Sequence, residues 1–233
     1  MLLFGCLPRE NEKRICMINA VVFDLDGLIF NTEEVFIHAT SEFLQPLGFN
    51  YDDQVRRRMM GQQAHVSIQI LKDHYGLTHS VTEIRSAIES NFIAVLPEIL
   101  AVMPGFEELR IHLINNHIPM AVCTSSTSEY AKKLLDEFGY LEEFQFVLGA
   151  EEVENGKPAP DCYQLACRRL DLLPEQVMVL EDSENGCRAA VDAGTFAVAV
   201  PGSHNQGHNY SGASLVAKTL SDPRIRMALQ SFK

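Results

Sequence analysis

Short apolar runs rich in β-branched residues recur along the chain, and segments whose apolar residues follow a helical spacing separate them. Buried strands are expected at residues 18–23, 118–123, 144–148, 176–180 and 195–200. Helices are expected between them, at residues 105–116, 128–138, 160–170 and 184–193. Because strands that alternate with helices build βαβ units, the sequence predicts an α/β fold with a doubly wound parallel sheet.

One stretch, residues 32–103, breaks this alternation. It contains no convincing strand, and helical patterns occupy residues 33–47, 52–60, 65–75 and 81–96. An all-helical block between the first and second strands predicts a helical cap domain at 32–103, inserted into a core domain made of residues 17–31 and 104–233. Residues 1–16 precede the first strand and are expected to form a tail outside the fold.

Overall charge and composition limit the classes of partner. The formal net charge is −12 at pH 7, which argues against nucleic acid or an anionic membrane as the main partner. No apolar run approaches the roughly 18 residues that a membrane-spanning helix needs. The six cysteines show no CxxC or zinc-type spacing, so we expect reduced thiols in a cytoplasmic protein. We also expect a monomer.

The motif Asp24-Leu25-Asp26-Gly27 directly follows the first strand. Charged groups at the edge of a core are costly unless they are paired or bind a metal ion, so packing does not explain two carboxylates here. One carboxylate can coordinate a hard cation while it attacks phosphorus, and the other can act as general acid and base. The motif therefore indicates chemistry at the carboxyl end of this strand, where open α/β sheets bind their ligands.

Three further polar motifs stand at or near the ends of later strands. Thr124 and Ser125 follow the second run and offer a hydroxyl and a backbone N–H to a phosphoryl oxygen. Lys157 precedes a proline that restricts the backbone, and its ammonium can stabilise a transferring phosphoryl group. Glu181 and Asp182 follow the run at 176–180 and suit a Mg²⁺ site. Each motif alone also fits a helix cap or a loop, but together they indicate a phosphate- and metal-binding site.

With these motifs, the chain resembles the haloacid dehalogenase superfamily of phosphohydrolases. The resemblance runs from about residue 18 to residue 220, and it implies a Rossmann-like core with a small C1-type helical cap. The four segments that carry it are DLDG at 24–27, CTSS at 123–126, GKPAPD at 156–161 and LEDSENG at 180–186.

The resemblance also implies a role for each motif residue. Asp24 would form an aspartyl-phosphate and bind Mg²⁺. Asp26 would act as general acid and base and give its backbone carbonyl to the metal. The implied phosphoryl-binding groups are the side chains of Thr124 and Lys157 with the backbone N–H groups of Leu25, Asp26 and Ser125. The implied metal ligands after the fourth strand are Asp182 and, in or next to its shell, Glu181.

Two subgroups of the superfamily fit, namely small-metabolite phosphatases, among them pseudouridine-5'-phosphatases and sugar phosphatases, and β-phosphoglucomutase-like mutases. Those mutases carry a cap histidine and a basic Lys-Gly-x-x-Arg loop, where this chain has Phe36 and Met-Gly-Gln-Gln-Ala at 60–64. Because the chain lacks both of these basic cap groups, we favour hydrolysis of a small phosphorylated sugar, nucleoside or polyol. A phosphosugar mutase is the alternative. Gln62 and Gln63 are expected to contact substrate hydroxyls.

Other assignments are less consistent with the sequence. A dinucleotide-binding oxidoreductase would need G-x-G-x-x-G after the first strand, and the chain has none there. A non-catalytic binding module would be expected to lack Asp24 or Asp26. The run Arg56-Arg57-Arg58 is expected to be a solvated helix face rather than an anion site. Asn31 stands where related proteins often carry aspartate, and the sequence leaves open whether it affects the cap hinge or the substrate.

Overall fold

The computed structural model describes residues 17–59, 64–205 and 207–230. The tail expected at residues 1–16 lies outside this part of the chain. Within it, no helix is both long enough and apolar enough to cross a membrane.

Six parallel strands form one sheet in the order β3-β2-β1-β4-β5-β6. In chain order the strands are β1 Ala20–Phe23, β2 Met120–Cys123, β3 Phe144–Leu148, β4 Val177–Glu181, β5 Phe196–Ala199 and β6 Leu215–Val216. β1 lies between β2 and β4, and the order of strands changes direction there. The predicted α/β fold with a Rossmann-like parallel sheet is therefore confirmed, and its ligand-binding crevice is expected at the carboxyl end of β1.

Helices cover both faces of the sheet. After β1, the chain forms α1 Thr32–Leu44, α2 Asp53–Met59, α3 Ala64–Tyr75 and α4 Val81–Ile99, as expected of an all-helical cap. The remaining helices are α5 Phe106–Asn115, α6 Ser128–Glu137, α7 Asp161–Leu170, α8 Glu184–Asp192 and α9 Pro223–Gln230. Buried side chains of α5, α6 and α9 share one core cluster with one face of the sheet, whereas those of α7 and α8 pack on the other face. The exact domain boundaries stay a prediction.

Local chemistry explains where several helices begin and end. The Ser183 hydroxyl accepts a hydrogen bond from the Gly186 N–H and caps α8, and Thr127 caps α6 in the same way. α1 ends at Leu44 instead of continuing to residue 47, and a 3₁₀ turn containing Pro46 follows it, because proline has no N–H to donate within a helix. α4, in contrast, continues past Pro97 to Ile99 in its last turn.

Two elements near the C-terminal end, β6 and α9, were not predicted from the sequence. β6 has only two residues, too few to show a period, and α9 lies beyond the segment that carries the family resemblance. β6 extends the sheet at the edge remote from β3.

Two antiparallel segments, residues 29–31 and 99–103, connect the cap helices to the sheet, and we call them the neck. The Asn31 N–H donates to the Ala101 carbonyl at 3.0 Å, and the Ala101 N–H donates to the Asn31 side-chain oxygen at 2.6 Å. Asn31 Nδ2 also donates to the Ile99 carbonyl at 3.2 Å. Asn31, whose role the sequence left open, therefore holds the two segments of the neck together.

Candidate active site

The parallel sheet brings the predicted site residues to one edge. Asp24 directly follows β1, Thr124 directly follows β2, and Glu181 is the last residue of β4. Because these three strands are neighbours in register, their carboxyl ends lie side by side. Lys157 reaches the same place from the loop between β3 and α7.

The Lys157 ammonium lies at the centre of this cluster. Its Nζ is 2.5 Å from Asp24 Oδ1 and 2.7 Å from Glu181 Oε1, and it donates to the Cys123 carbonyl at 3.0 Å. The Lys157 side chain is only 6% exposed. A buried lysine with three oxygen partners is fixed in position, so its positive charge can attract an anionic group that binds next to Asp24.

Burial and neighbouring charges shift the ionisation of both partners. Burial raises the pKa of Asp24 well above its usual range; Lys157 lowers it, and the carboxylates of Glu181, Asp182 and Asp26 raise it. Burial alone would lower the pKa of Lys157, but Asp24 and Glu181 outweigh that effect, so its pKa also lies well above the usual value. The cluster thus contains more acidic groups than cations, and a bound cation would relieve their repulsion.

Asp24, Glu181 and Asp182 form a candidate cation site. All three are buried, and one carboxylate oxygen from each lies within 4.8 Å of the others. Such an oxygen set fits a hard divalent cation, and the surplus acidic charge fits one as well. Asp26 does not belong to this carboxylate cluster, and the expected role of its backbone carbonyl as a metal ligand stays a prediction.

The Asp26 side chain makes its hydrogen bonds to the residues that follow β2. Its Oδ2 accepts hydrogen bonds from Thr124 Oγ1 at 3.1 Å and from Ser126 Oγ at 2.9 Å. Ser126 was not among the predicted site residues, although it stands next to Ser125 in the same motif. Ser125 is exposed and Leu25 is fully buried, and the expected contacts of their backbone N–H groups with a phosphoryl group stay predictions.

The chain positions Glu181 through groups that the sequence motifs do not include. Tyr163 Oη, on α7, donates to Glu181 Oε1 at 2.6 Å, and Ser183 Oγ donates to Glu181 Oε2 at 3.1 Å. Gly186 leaves the space that the carboxylate fills, because a Cβ at this position would lie 1.8 Å from Glu181 Oε1. Glu181 is therefore held on several sides, as ligands of metal ions commonly are.

Asp182 is held by the segment that follows β5. Asn205 Nδ2 donates to Asp182 Oδ2 at 2.6 Å and to the Asp182 carbonyl at 2.9 Å, and Tyr210 Oη donates to the same carbonyl at 2.6 Å. Asn205 is 3% exposed. The polar segment after β5, whose sequence is typical of a loop, thus fixes one of the candidate metal ligands. No local sequence pattern indicates this long-range contact.

A cavity of about 660 Å³ lies between the cap helices and the core, next to Asp26. The core contributes Ser126, Thr127 and Tyr130, and the cap contributes the other walls. The cap residues are Thr32, Glu33, Phe36 and Ile37 from α1, Arg56 and Met59 from α2, Ser67 and Ile68 from α3, Arg85, Ile88, Glu89 and Phe92 from α4, and Tyr51.

Gln62 and Gln63, expected to contact the substrate, lie outside the described residues. Arg57 and Arg58 are exposed, whereas Arg56 faces the cavity, so the expectation of a fully solvated arginine run was wrong for Arg56.

A family model for haloacid dehalogenase-like hydrolases matches residues 21–200. The chain belongs to this family. Relatives that are named as phosphatases confirm the enzyme class that the sequence predicts, a phosphatase of this superfamily, and such enzymes generally use a divalent metal ion.

Relatives agree with this assignment along most of the chain. A probable pseudouridine-5'-phosphatase of Drosophila melanogaster is 34% identical over 91% of this chain and 94% of its own length. A phosphorylated carbohydrates phosphatase of Thermotoga maritima is 30% identical over 76% of this chain and 82% of its own length. Among solved structures, CbbY from Rhodobacter sphaeroides in complex with phosphate superposes with a TM-score of 0.74 at 30% identity, covering 88% of this chain and 96% of that one.

Proposed function

We propose that this chain is a Mg²⁺-dependent phosphomonoester hydrolase that acts on a small phosphorylated sugar, nucleoside or polyol through an aspartyl-phosphate on Asp24. The observation that carries the proposal is the convergence of Asp24 with the Lys157 ammonium and with the buried acids Glu181 and Asp182, next to a cavity that Asp26 lines. A nucleophile, an electrostatic stabiliser, a cation site and a proton donor thus converge at one strand end.

In the first step, an oxygen of the Asp24 carboxylate forms a bond to phosphorus while the bond from phosphorus to the ester oxygen breaks. Asp26, protonated at this stage, gives its proton to the leaving oxygen. Lys157 faces the phosphoryl oxygens and stabilises their charge. Thr124 and Ser126 orient the Asp26 carboxyl through their hydroxyl groups.

In the second step, water attacks the phosphorus of the aspartyl-phosphate. Asp26, now ionised, takes a proton from that water, and the bond between phosphorus and the Asp24 oxygen breaks. Inorganic phosphate leaves, and both aspartates return to their starting states. When bound by Asp24, Glu181 and Asp182, Mg²⁺ supplies positive charge that neutralises the phosphate and the acidic cluster.

Phosphate release from a panel of phosphomonoesters tests the proposal, measured with Mg²⁺ and with EDTA. We expect Mg²⁺-dependent release that Asp24→Asn abolishes, and a mass increase of one phosphoryl group on the Asp24 peptide after acid quenching. Asp136→Asn is a matched control, since this carboxylate is exposed on α6. Absence of metal-dependent release from every ester would contradict the proposal.

The phosphosugar mutase alternative uses the same catalytic residues, so the assay has to separate the two. A mutase would need a sugar bisphosphate as activator and would convert β-glucose 1-phosphate into glucose 6-phosphate without net release of phosphate. A hydrolase would release phosphate with no activator present.

A further inference from the structure

The walls of the cavity next to Asp26 are largely apolar and partly aromatic. Phe36 of α1 and Phe92 of α4 come from the cap, and Tyr130 of α6 comes from the core. The Phe92 and Tyr130 rings approach each other across the cap–core boundary, with centroids 6.4 Å apart and planes inclined by 52°. A leaving group composed only of hydroxyl-bearing carbons has no planar apolar face, so it could not stack on these aromatic rings. The remaining apolar surface comes from Ile37, Ile68, Ile88 and Met59.

The charged side chains around the cavity are either arginines paired with carboxylates or further carboxylates. Arg56 Nη1 is paired with Asp53 Oδ1 at 2.9 Å, and Arg85 Nε with Glu89 Oε1 at 2.6 Å. Among the described residues that line the cavity, these two arginines are the only lysine or arginine side chains.

Three carboxylates, Asp26, Glu33 and Glu89, line the same cavity. A second phosphate on a substrate would therefore meet carboxylates as well as arginines that already have partners. The cavity thus opposes a doubly phosphorylated substrate.

We infer that the cavity selects a monophosphate ester whose leaving group is uncharged and presents a planar apolar face, as a nucleoside or an aryl alcohol does. A volume of about 660 Å³ accommodates such a group, since pockets of about 300–1,000 Å³ bury ligands of drug size. The inference rests on the proposed hydrolase function and narrows its substrate class. It also disfavours the mutase alternative, because a mutase has to bind a bisphosphate.

The first test compares kcat/KM for four probes: uridine 5'-monophosphate, glucose 6-phosphate, glycerol 3-phosphate and fructose 1,6-bisphosphate. We expect kcat/KM for uridine 5'-monophosphate to exceed that for the hexose and glycerol phosphates by about two- to tenfold, because one aromatic stacking contact contributes about 0.5–1.5 kcal/mol. The bisphosphate should have the lowest value. Equal values for all four, or a preference for the bisphosphate, would overturn the inference while leaving the hydrolase proposal intact.

Two pairs of variants connect the selectivity to particular walls of the cavity. Phe92→Ala should reduce the ratio of kcat/KM for uridine 5'-monophosphate to that for glycerol 3-phosphate several-fold. Ile93→Ala, which alters an exposed residue of the same helix, should not change it. Glu89→Gln should raise kcat/KM for the bisphosphate, whereas Glu98→Gln, an exposed change on the same helix, should leave it unaltered. The assigned walls would be refuted if Phe92→Ala left this ratio unchanged and Glu89→Gln left kcat/KM for the bisphosphate unchanged.

A binding measurement separates failure of the inference from failure of the proposed chemistry. Asp24→Asn cannot form the aspartyl-phosphate, so titration calorimetry can report its affinity for each probe in the presence of Mg²⁺. Tighter binding of uridine 5'-monophosphate than of glucose 6-phosphate would support the inference even if the native chain released no phosphate. Equal or reversed affinities would refute it.

Discussion

Replacing Tyr163 with phenylalanine removes the hydroxyl that contacts Glu181 and retains the ring. Tyr163 is fully buried, and its hydroxyl donates to Glu181 Oε1 at 2.6 Å, on a carboxylate that is itself 1% exposed. A hydrogen bond to a charged group contributes about 1.5–3 kcal/mol. Lys157 and Ser183 still bond to Glu181 in the variant, so we expect a loss of about 2 kcal/mol in the free energy of unfolding.

For a chain of this size, about 1 kcal/mol corresponds to a shift in Tm of about 2–4 °C. We therefore expect Tyr163→Phe to lower the Tm by about 4–8 °C when unfolding is followed by circular dichroism in EDTA. Chelation matters, because a bound cation would also hold Glu181 and hide part of the effect.

Tyr130→Phe provides the control, since the Tyr130 hydroxyl has no hydrogen-bond partner among the described residues. The two variants lose the same atom, and only one loses a bond to a buried carboxylate. If Tyr163→Phe cost less than about 0.5 kcal/mol, or no more than Tyr130→Phe, the conclusion that Tyr163 holds Glu181 would be refuted.

Three other perturbations address the cation site. Gly186→Ala places a Cβ where the Glu181 carboxylate lies, so we expect at least about tenfold weaker Mg²⁺ binding by calorimetry; unaltered binding would contradict the packing described. Asn205→Ala removes the amide that orients Asp182, and we expect about 10–100-fold weaker Mg²⁺ binding. Mg²⁺ at about 100 times its dissociation constant should stabilise the native chain by about 2.7 kcal/mol, read as a rise in Tm that EDTA reverses; a Tm independent of Mg²⁺ would mean that the acidic cluster binds no cation.

The sequence predicts the sheet and the central cluster of the candidate site because both depend on local patterns. Buried parallel strands are short apolar runs, and the residues after them must lie at one edge of the sheet. The positions of Asp24, Thr124 and Glu181 relative to the strands therefore suffice to place these three residues together. Lys157 lies in a loop rather than at a strand end, so its prediction depended on the proline that follows it and on its combination with the other motifs.

The residues around that cluster could not be predicted in the same way. Tyr163 and Asn205 contact acids that lie far from them in the sequence, and nothing in the spacing of α7 or of the loop after β5 indicates those contacts. Arg56 looked like part of a solvated run, and only the packing of the cap shows that it faces the cavity. Contacts between elements, unlike periodicity within one element, depend on the assembled fold.

The neck gives the chain a modular character. The segment between Asn31 and Ala101 leaves and re-enters the core at one place, where backbone and side-chain hydrogen bonds join its two ends. We therefore expect that the helices between these ends can be exchanged as a unit without altering a strand of the sheet or moving the candidate site residues. If the proposed function holds, a chimera that joins this core to the cap of a relative is expected to retain phosphoryl transfer and to act on other substrates, so the chemistry and the specificity of such a chain would evolve separately.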